Sequence, residues 1–410
     1  MIPATINCKR ILAISVLIMT VLLSACRRDN NNTTITPITL SCNDVDVDQT
    51  WADRGDGVDY IIDCVIGVNA KLTIAPGVVI MCKTGAGILV NTGGSLKAIG
   101  ATDKHIVLKG DVDAPGVWKG IYINSSSVEN ELNYCEVHNA GNSSFDGNLN
   151  RKAAIRVALT AKLKLQNSIV AKSGYDGLYV DGLDSDSQNP ITLFAANQFS
   201  GNENYPISAI APVANALDGE VSTYVNNSIN KIHLRGGNLY GTHVWKKNSV
   251  AYQAQGLTSV GYYSDNGSLT IQPGVTVEFM ADAGLGIGAY ATASWLRIEG
   301  TAGNRITLTG TTATPGAWKG ISFVSSSSNN VVSYTDISYG GSSSYSGSAN
   351  EKGNLLAGSA GQSGAFTVNN CTINYSGSYG IFVNSNSADI TVPGNVTYTG
   401  NTNADYYKEP

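Results

Sequence analysis

Residues 72–141 read LTIAPGVVIMCKTGAGILVNTGGSLKAIGATDKHIVLKGDVDAPGVWKGIYINSSSVENELNYCEVHNAG, and residues 269–341 repeat the pattern as LTIQPGVTVEFMADAGLGIGAYATASWLRIEGTAGNRITLTGTTATPGAWKGISFVSSSSNNVVSYTDISYGG. Each stretch contains, in the same order, a PGV turn, a WKGI motif and a strand that opens with tyrosine. The offset is 197 positions at Leu72 and Leu269 and 200 positions at Trp118 and Trp318. A long internal repeat is the sequence signature of a repeat architecture.

The composition agrees with a β-rich fold. The 410 residues include 45 glycines, only 14% are charged, and the pI is about 5.4. There is no lysine or arginine block, which argues against nucleic acid as a partner. A chain of this length suggests two units of ordinary size. We therefore predict two tandem homologous halves, residues 41–218 with an acidic cap and residues 219–410.

From Tyr60 onward, short alternating runs are separated by Gly, Asn or Asp, and no run has a helical period long enough for a helix. Strands of three to six residues with a turn every few positions are what a coiling chain requires. Each strand would stack in parallel on its counterpart one coil later, because such repeats bury their apolar faces only against their neighbours. The sequence predicts an all-β solenoid.

These motifs resemble those of right-handed parallel β-helix proteins, in particular the PGV, WKGI and Y-x-[ED]-[VI] arrangement frequent in bacterial surface lipoproteins. The resemblance covers residues 60–402 and implies a right-handed parallel β-helix. It implies little about activity, because that fold carries lyases, hydrolases, adhesins and structural modules.

The N-terminus has the pattern of a targeting segment, residues 1–25. Lys9 and Arg10 precede an apolar run, Ile11–Leu23, that is short for a membrane span. The alternatives are an ordinary signal peptide and an N-terminal anchor helix.

The residues that follow the apolar run, Leu23-Ser24-Ala25-Cys26, resemble the lipobox of bacterial lipoproteins. The resemblance implies cleavage before Cys26 and lipid attachment to its thiol, so the protein would be held on a membrane. Arg27 is not the aspartate that retains enterobacterial lipoproteins in the inner membrane, which favours the outer membrane and possible surface display. Residues 26–40 would form a polar tether, similar to those of Bacteroidetes lipoproteins but without their acidic run.

Cysteine and aspartate positions near the tether suggest two further features. An envelope compartment permits disulfides, and we expect Cys42 and Cys64 to pair. Asp44, Asp46 and Asp48 have the spacing that opens an EF-hand loop, so Ca²⁺ is an alternative there. The loop's glycine and bidentate glutamate are missing, and a strand with three outward acids explains the same spacing. We therefore expect neither a metal nor a cofactor.

Alternation along three strands of the first copy predicts a polar column. Ile and Val alternate with polar or aromatic residues in GIYIN, AAIRV and GLYVD, so the latter would face outward. Stacked coils would then align an exposed column that suits a sugar, whose C–H face packs on tyrosine while its hydroxyls bond polar groups. The alternative is a surface salt bridge of little energetic value. The column consists of Tyr122, Asn124, Arg156, Tyr179 and Asp181.

The same region offers a catalytic alternative. Polysaccharide hydrolases use paired carboxylates, and lyases use a basic residue beside acidic Ca²⁺ ligands. The corresponding loop of the second copy contains no acid, which argues against catalysis. The candidates are Arg156, Asp181, Asp184 and Asp186.

Other residues recur in both copies and are better explained by the fold than by one active site. They are Glu136 with Asp336 and Trp118 with Trp318. We expect a lipid-anchored envelope protein that binds a glycan or another surface protein and does not catalyse. A polysaccharide lyase or hydrolase and a structural spacer are the alternatives.

Overall fold

The computed structural model describes residues 35–183, 185–359, 361–388 and 390–410. The residues that resemble a lipobox, with Cys26, and the candidate Asp184 lie outside the described residues. Ile35–Pro410 forms one compact unit. Its strands are short and pair in parallel throughout.

Three sheets run along the first part of the coil, and from Tyr60 to Ala195 the chain visits them in the order A, B, C in each turn. Sheet A contains Ile38–Thr39, Tyr60–Ile62, Val79–Cys82, Ile106–Gly110, Cys135–His138, Ile169–Ala171, Gln198–Ser200 and Thr223–Val225. Sheet B contains Val65–Val68, Gly87–Val90, Gly120–Ile123, Ala153–Val157, Asp176–Val180 and Ile207–Ile210. Sheet C contains Gln49–Trp51, Lys71–Ile74, Ser95–Ile99, Glu131–Asn133, Leu163–Gln166 and Ile191–Ala195.

The inner faces of these sheets form a continuous apolar core. In sheet B, Ile121, Ile155 and Leu178 lie in register on consecutive strands and are fully buried. One residue in two points inward along each strand, as the alternation predicts. Because each coil buries its apolar side chains against the next, the stack has one core along its length. The predicted parallel β-helix is confirmed.

The second part of the coil has its own three sheets, named A′, B′ and C′ by correspondence with the first copy. Sheet A′ contains Thr276–Phe279, Ile306–Gly310, Thr335–Ser338, Thr372–Asn374 and Thr397–Thr399. Sheet B′ contains Gly284–Ala289, Ile321–Phe323, Gly353–Ala357, Tyr379–Val383 and Tyr406–Lys408. Sheet C′ contains Gly241–Trp245, Gly267–Ile271, Trp295–Glu299, Val331–Ser333 and Thr367–Asn369.

Two long strands, Ile232–Leu239 and Tyr252–Tyr262, join the two parts. Their first residues stack on sheet B and continue directly into sheet A′, whereas the last residues of Tyr252–Tyr262 pair with the first strand of sheet B′. Sheet B of the first copy and sheet A′ of the second therefore form one continuous stack of strands. The coil is not interrupted at the predicted boundary between residues 218 and 219. Strands that are equivalent in the two sequence copies lie on different faces of the coil.

Short 3-10 helices occupy three connections: Leu149–Arg151, Ala211–Ala216 and Gly219–Val221. No helix among the described residues is long and apolar enough to cross a membrane.

The coil begins earlier than residue 41. Ile38–Thr39 pairs with Tyr60–Ile61, and the backbone N–H of Ile38 donates to Asp59 O at 2.9 Å. The last residues of the predicted tether, residues 26–40, therefore include a strand of sheet A. Cys42 and Cys64 form a disulfide, with their Cα atoms 5.9 Å apart, and it fastens this first turn to sheet B.

The WKGI motif explains how both copies turn from sheet A to sheet B. Trp118 and Trp318 are fully buried, and each indole Nε1 donates at 2.8 Å to a backbone carbonyl, that of His138 or of Ser338. The glycine two positions later has a φ of 104° at Gly120, where an added Cβ would lie 2.4 Å from a backbone oxygen. The motif is structural, as its recurrence suggests.

The lysine of the same motif holds a loop over the outer face of sheet B or B′. We name these loops flap 1, residues 142–152, and flap 2, residues 342–352. Lys119 Nζ lies 3.1 Å from Ser143 Oγ, and Lys319 Nζ lies 3.2 Å from Ser344 O. Each flap therefore covers part of a face that alternation alone would leave exposed.

Candidate functional site

The strands that carry the predicted column do stack in register. Tyr122 lies opposite Arg156, and Arg156 lies opposite Tyr179. The same column continues through Ser208, His233 and Gln253. The predicted alignment of these side chains is therefore correct.

The prediction that the column is exposed is wrong for Arg156 and Tyr179, which are 3% and 6% exposed. Tyr122 and Asp181 are half-buried. Flap 1 lies over the column, with the Phe145 ring 5.5 Å from the Tyr122 ring. The column is therefore not open to a sugar along its whole length. Asn124 is half-buried and directly follows the strand that carries Tyr122. It lies outside the hydrogen-bonded cluster that Tyr122, Arg156 and Asp181 form.

Arg156 is the centre of this cluster. Its guanidinium donates from Nε to Asp181 Oδ1 at 3.0 Å and from Nη2 to Asp146 Oδ2 at 2.8 Å. It also lies 4.4 Å from the centre of the Tyr122 ring, and the Tyr122 hydroxyl donates to Asp181 Oδ2 at 3.2 Å. The predicted pairing of Arg156 with Asp181 exists, but Arg156 is buried beneath the acids rather than exposed beside them.

The electrostatics of the cluster keep Arg156 charged. Burial by itself lowers the pKa of Arg156, but the hydrogen bonds to Asp146 and Asp181 outweigh it and the pKa is raised. The hydrogen bond from Arg156 holds the pKa of Asp146 well below its usual range. Burial, together with the charge of Asp181, raises the pKa of Tyr122 to about 12. A guanidinium with a raised pKa is a poor proton acceptor.

The acids of the catalytic alternative do not converge on a common point among the described residues. Asp181 is occupied by Arg156 and Tyr122. Asp186 Oδ2 accepts the backbone N–H of Leu183 at 2.6 Å and so closes its own loop.

A second arginine, which sequence reasoning did not select, extends the cluster. The Arg235 guanidinium stacks 4.3 Å from the centre of the Tyr179 ring and donates to the Tyr179 hydroxyl and to Val180 O. Arg235 lies in the segment KIHLRGG, which follows sheet B by one coil. Counting the alternation two coils beyond Tyr179 would have placed this segment in the same sheet.

The three acids with EF-hand spacing do not form a cation site. Asp44 accepts from the backbone N–H of Gly67 at 2.9 Å, and Asp48 accepts from that of Lys71 at 3.0 Å. Asp46 accepts from the Asn69 side chain at 2.8 Å. The three acids therefore accept hydrogen bonds from every second residue of the next coil. These contacts occupy donors at the first edge of the solenoid, which makes that edge less able to pair with another strand.

Among the described residues, the one group with ligand atoms close enough for a metal is Cys42, Asp63 and Cys64, and its two cysteines form the disulfide. The other described cysteines, Cys82, Cys135 and Cys371, are free and buried. Burial raises the pKa of Cys135 to about 12, so its thiol is protonated at neutral pH.

The acids shared by the two copies are paired in both. Glu136 lies 2.9 Å from His105 Nδ1 and 3.0 Å from His138 Nε2. Asp336 accepts two hydrogen bonds from Arg305, at 2.7 and 2.9 Å. The shared acid thus contacts the side chain that directly precedes the neighbouring strand of sheet A or A′, which supports a structural role.

The outer face of sheet A carries an open groove of about 810 Å³, which we name the sheet A groove. Apolar side chains and amide or hydroxyl groups line it together with His138 and four charged residues, and its wall is the loop that contains Asp113. The charged residues are Lys109, Asp111, Asp113 and Lys172. Lys172 Nζ lies 2.7 Å from Asp113, and this hydrogen bond lowers the pKa of Asp113. The lining residues used below are Met81, Ile169, Ala171, Gln198, Ser200 and Asn226.

Comparisons of the chain with protein-family models, with curated proteins and with solved structures find no match.

Proposed function

We propose that the protein is a lipid-anchored, non-catalytic component of a bacterial cell envelope that binds a glycan along the sheet A groove. The observation that carries this proposal is the length of the groove, which crosses five consecutive strands from Met81 to Gln198. Because neighbouring strands lie about 4.8 Å apart, four spacings give about 19 Å. A groove of that length and openness suits a segment of a polymer better than a compact small molecule.

The chemistry of the lining supports a glycan. Met81, Ile169 and Ala171 supply an apolar floor, and Gln198 and Asn226 supply amides. Binding sites typically combine an apolar surface with a few polar groups that fix the orientation of the ligand. Sugar rings need both, because their C–H faces are apolar and their hydroxyls require hydrogen-bond partners. A structural spacer would need no such groove.

A binding role is favoured over catalysis by the state of Arg156. A lyase would need a basic group that can accept a proton near the working pH, and the two acids that contact Arg156 oppose that. The envelope location rests on the resemblance of Leu23-Ser24-Ala25-Cys26 to a lipobox.

The test uses the full chain, expressed in a bacterial host with labelled palmitate and solubilised in mild detergent. We expect label that is lost in Cys26→Ala, and co-sedimentation with at least one insoluble polysaccharide. The panel contains neutral, uronate-containing and sulfated polysaccharides and an unfolded polypeptide. Ser200→Trp should weaken binding, because Ser200 lines the groove and a large side chain there would obstruct it.

Thr399→Trp is the matched control, since Thr399 belongs to the last strand of sheet A′ and is exposed outside the sheet A groove. Shortened polysaccharide products, measured by mass spectrometry with and without Ca²⁺, would overturn the non-catalytic proposal. Binding of the polypeptide alone would replace the glycan with a protein partner. Equal binding by wild type and Ser200→Trp would exclude the sheet A groove as the site.

A further inference from the structure

Several corners of the coil are built with tyrosine in a backbone conformation that tyrosine rarely adopts. Among the described residues other than glycine, thirteen have a positive φ, and six of them are tyrosines. A left-handed conformation is unfavourable for an L-residue, and glycine or asparagine adopts it most readily. Asparagine stands at four other corners of this same chain. The six tyrosines are Tyr134, Tyr263, Tyr290, Tyr334, Tyr339 and Tyr375.

Two of these tyrosines are also strongly exposed. Tyr263 is 61% exposed and Tyr290 is 63% exposed. They occupy the same corner in consecutive coils, because Tyr262 pairs with Ala289, and their rings stack 5.7 Å apart at 11°. The Tyr262 ring packs edge-on against Tyr263 at 4.3 Å. We name Tyr262, Tyr263 and Tyr290 the tyrosine platform. Because Tyr263 and Tyr290 are mostly exposed and have an unfavourable backbone conformation, we expect their side chains to contribute little to the free energy of folding.

A pocket of about 540 Å³ begins two residues beyond Tyr290. We name it the serine pocket, and its lining contains no charged residue. Gln362 connects its edge to the platform, since Gln362 Oε1 accepts the backbone N–H of Tyr290 at 3.3 Å. The lining residues are Thr292, Ala293, Trp295, Val324, Ser326, Ser327, Asn329 and Ser363.

Arg297, a charged residue that contacts two of the lining residues, is already engaged. The Arg297 guanidinium lies 5.8 Å from the centre of the Trp295 ring, donates to Asn329 Oδ1 at 2.9 Å and pairs with Glu299 at 3.2 Å. What the pocket offers a ligand is therefore an indole edge, hydroxyls and an amide.

We propose that the tyrosine platform and the serine pocket form a binding site for a neutral polysaccharide. An aromatic ring has a negative face, and the C–H groups on one face of a sugar ring are its electropositive complement. Serine, threonine and asparagine side chains can both donate to and accept from sugar hydroxyls. With no free cation or anion in the lining, the site has no means of favouring a uronate or a sulfate.

This inference rests on the proposed glycan-binding function and adds a second site, on the other copy. The sheet A groove belongs to the first copy, and its flank carries Lys172 and Asp113. A single polysaccharide chain that reached both sites would bind more tightly than to either one, because the second contact is intramolecular.

The test compares the double variant Tyr263→Asn/Tyr290→Asn with wild type in the full chain. Asparagine tolerates the left-handed conformation better than tyrosine does, so the variant should unfold at the same temperature as wild type or higher. Its binding to insoluble neutral β-glucan, mannan or xylan should weaken by about tenfold, the loss expected from removing two aromatic contacts. Both measurements are made again in the Ser200→Trp background, in which the sheet A groove is obstructed.

Tyr334→Asn is the matched control, because Tyr334 is a left-handed tyrosine of the same copy at another corner. It should relieve the same strain and leave binding unchanged. Unchanged binding in the double variant, or no binding of any neutral polysaccharide by wild type, overturns the second site. If Ser200→Trp keeps full binding and the double variant loses it, the second site stands and the sheet A groove fails. The reverse pattern retains the groove alone.

Discussion

The two copies share a frame and differ in what they bury beneath the flap. In the first copy, flap 1 covers Arg156, which is neutralised by Asp146 and Asp181. In the second copy, the equivalent position is Leu356, which is fully buried. The remaining counterparts in the second copy are Ser322, Val324, Phe382 and Asn384, all buried.

The charged residue buried beneath flap 1 is a base, Arg156, whereas the charged residue buried in flap 2 is an acid. Glu351 in flap 2 is buried and accepts hydrogen bonds from Ser359 Oγ at 2.9 Å and from Asn384 Nδ2 at 3.1 Å. Its counterpart in flap 1 is Arg151, which is partly exposed and pairs with Asp146. The space beneath the flap is thus filled by an ion-pair cluster in the first copy and by an apolar side chain, Leu356, in the second. The same fold accommodates both kinds of packing.

Mutations in the WKGI motif, which both copies share, should have the largest effect on stability. We expect Trp118→Ala and Trp318→Ala each to lower the free energy of unfolding by roughly 3–5 kcal/mol, the usual cost of removing a buried tryptophan. Trp318 should cost more, because its ring also stacks on Phe279 at 4.1 Å, and such pairs add about 1 kcal/mol. Urea denaturation followed by circular dichroism measures both. A loss confined to one copy would show that the motif is not equivalent in the two.

A smaller loss of stability is expected when Arg156 is replaced by leucine, the residue that the second copy has at the equivalent position. Arg156→Leu leaves Asp181 partly buried and unpaired, and removal of one partner from a buried pair costs roughly 3 kcal/mol. The double variant Arg156→Leu/Asp181→Asn, which places copy-two residues at both positions, should recover at least half of that loss. The measurement is the urea midpoint of each variant.

Arg151→Leu is the control for this experiment. Arg151 pairs with the same Asp146 on the surface, and exposed pairs contribute only about 0–1 kcal/mol. If the double variant is no more stable than Arg156→Leu, the packing of the arginine on the Tyr122 ring, rather than the charge of Asp181, accounts for the loss.

The architecture could be predicted from sequence to a large extent. The repeat with its WKGI motif and the alternation of Ile121 and Ile155 with polar residues identify the parallel β-helix, because these patterns are local and periodic. The pairing of Cys42 with Cys64 was also expected, and the structure forms it. The change of face at Ile232–Leu239 was not foreseen, since it depends on how one strand bends between two sheets.

The state of the candidate site could not be read from the same patterns. Alternation tells which side chains point out of the coil, and not what folds over them. Flap 1 is polar, NSSFDGNLNRK, and has the composition of an ordinary surface loop. The aromatic shared by the two flaps, Phe145 and Tyr345, was the signal available, because a glycine lies beneath each. An added Cβ at Gly87 would lie 3.0 Å from the Phe145 ring, and one at Gly284 would lie 2.2 Å from the Tyr345 hydroxyl.

The smallest effect expected concerns an acid at the inner edge of the first copy's cluster. Asp176 is 1% exposed, and burial raises its pKa to about 7, although Tyr205 N–H and Asn204 donate to it. The unfolded pKa is about 3.9, so between pH 4 and pH 7 the folded state holds the proton more tightly. The contribution of Asp176 to the free energy of unfolding is therefore fully present below about pH 4 and is lost as the pH rises through about 7.

Asp176→Asn should remove this pH dependence. The amide keeps an acceptor oxygen and carries no charge, so at pH 8 we expect a gain of about 1 kcal/mol, the relief of burial being partly offset by weaker hydrogen bonds. At pH 4 the variant and wild type should be alike. Urea midpoints at pH 4, 6 and 8 measure the difference. A variant less stable than wild type at pH 8 would mean that Arg235, whose charge lowers the pKa of Asp176, makes the ionised acid a net contributor to the cluster.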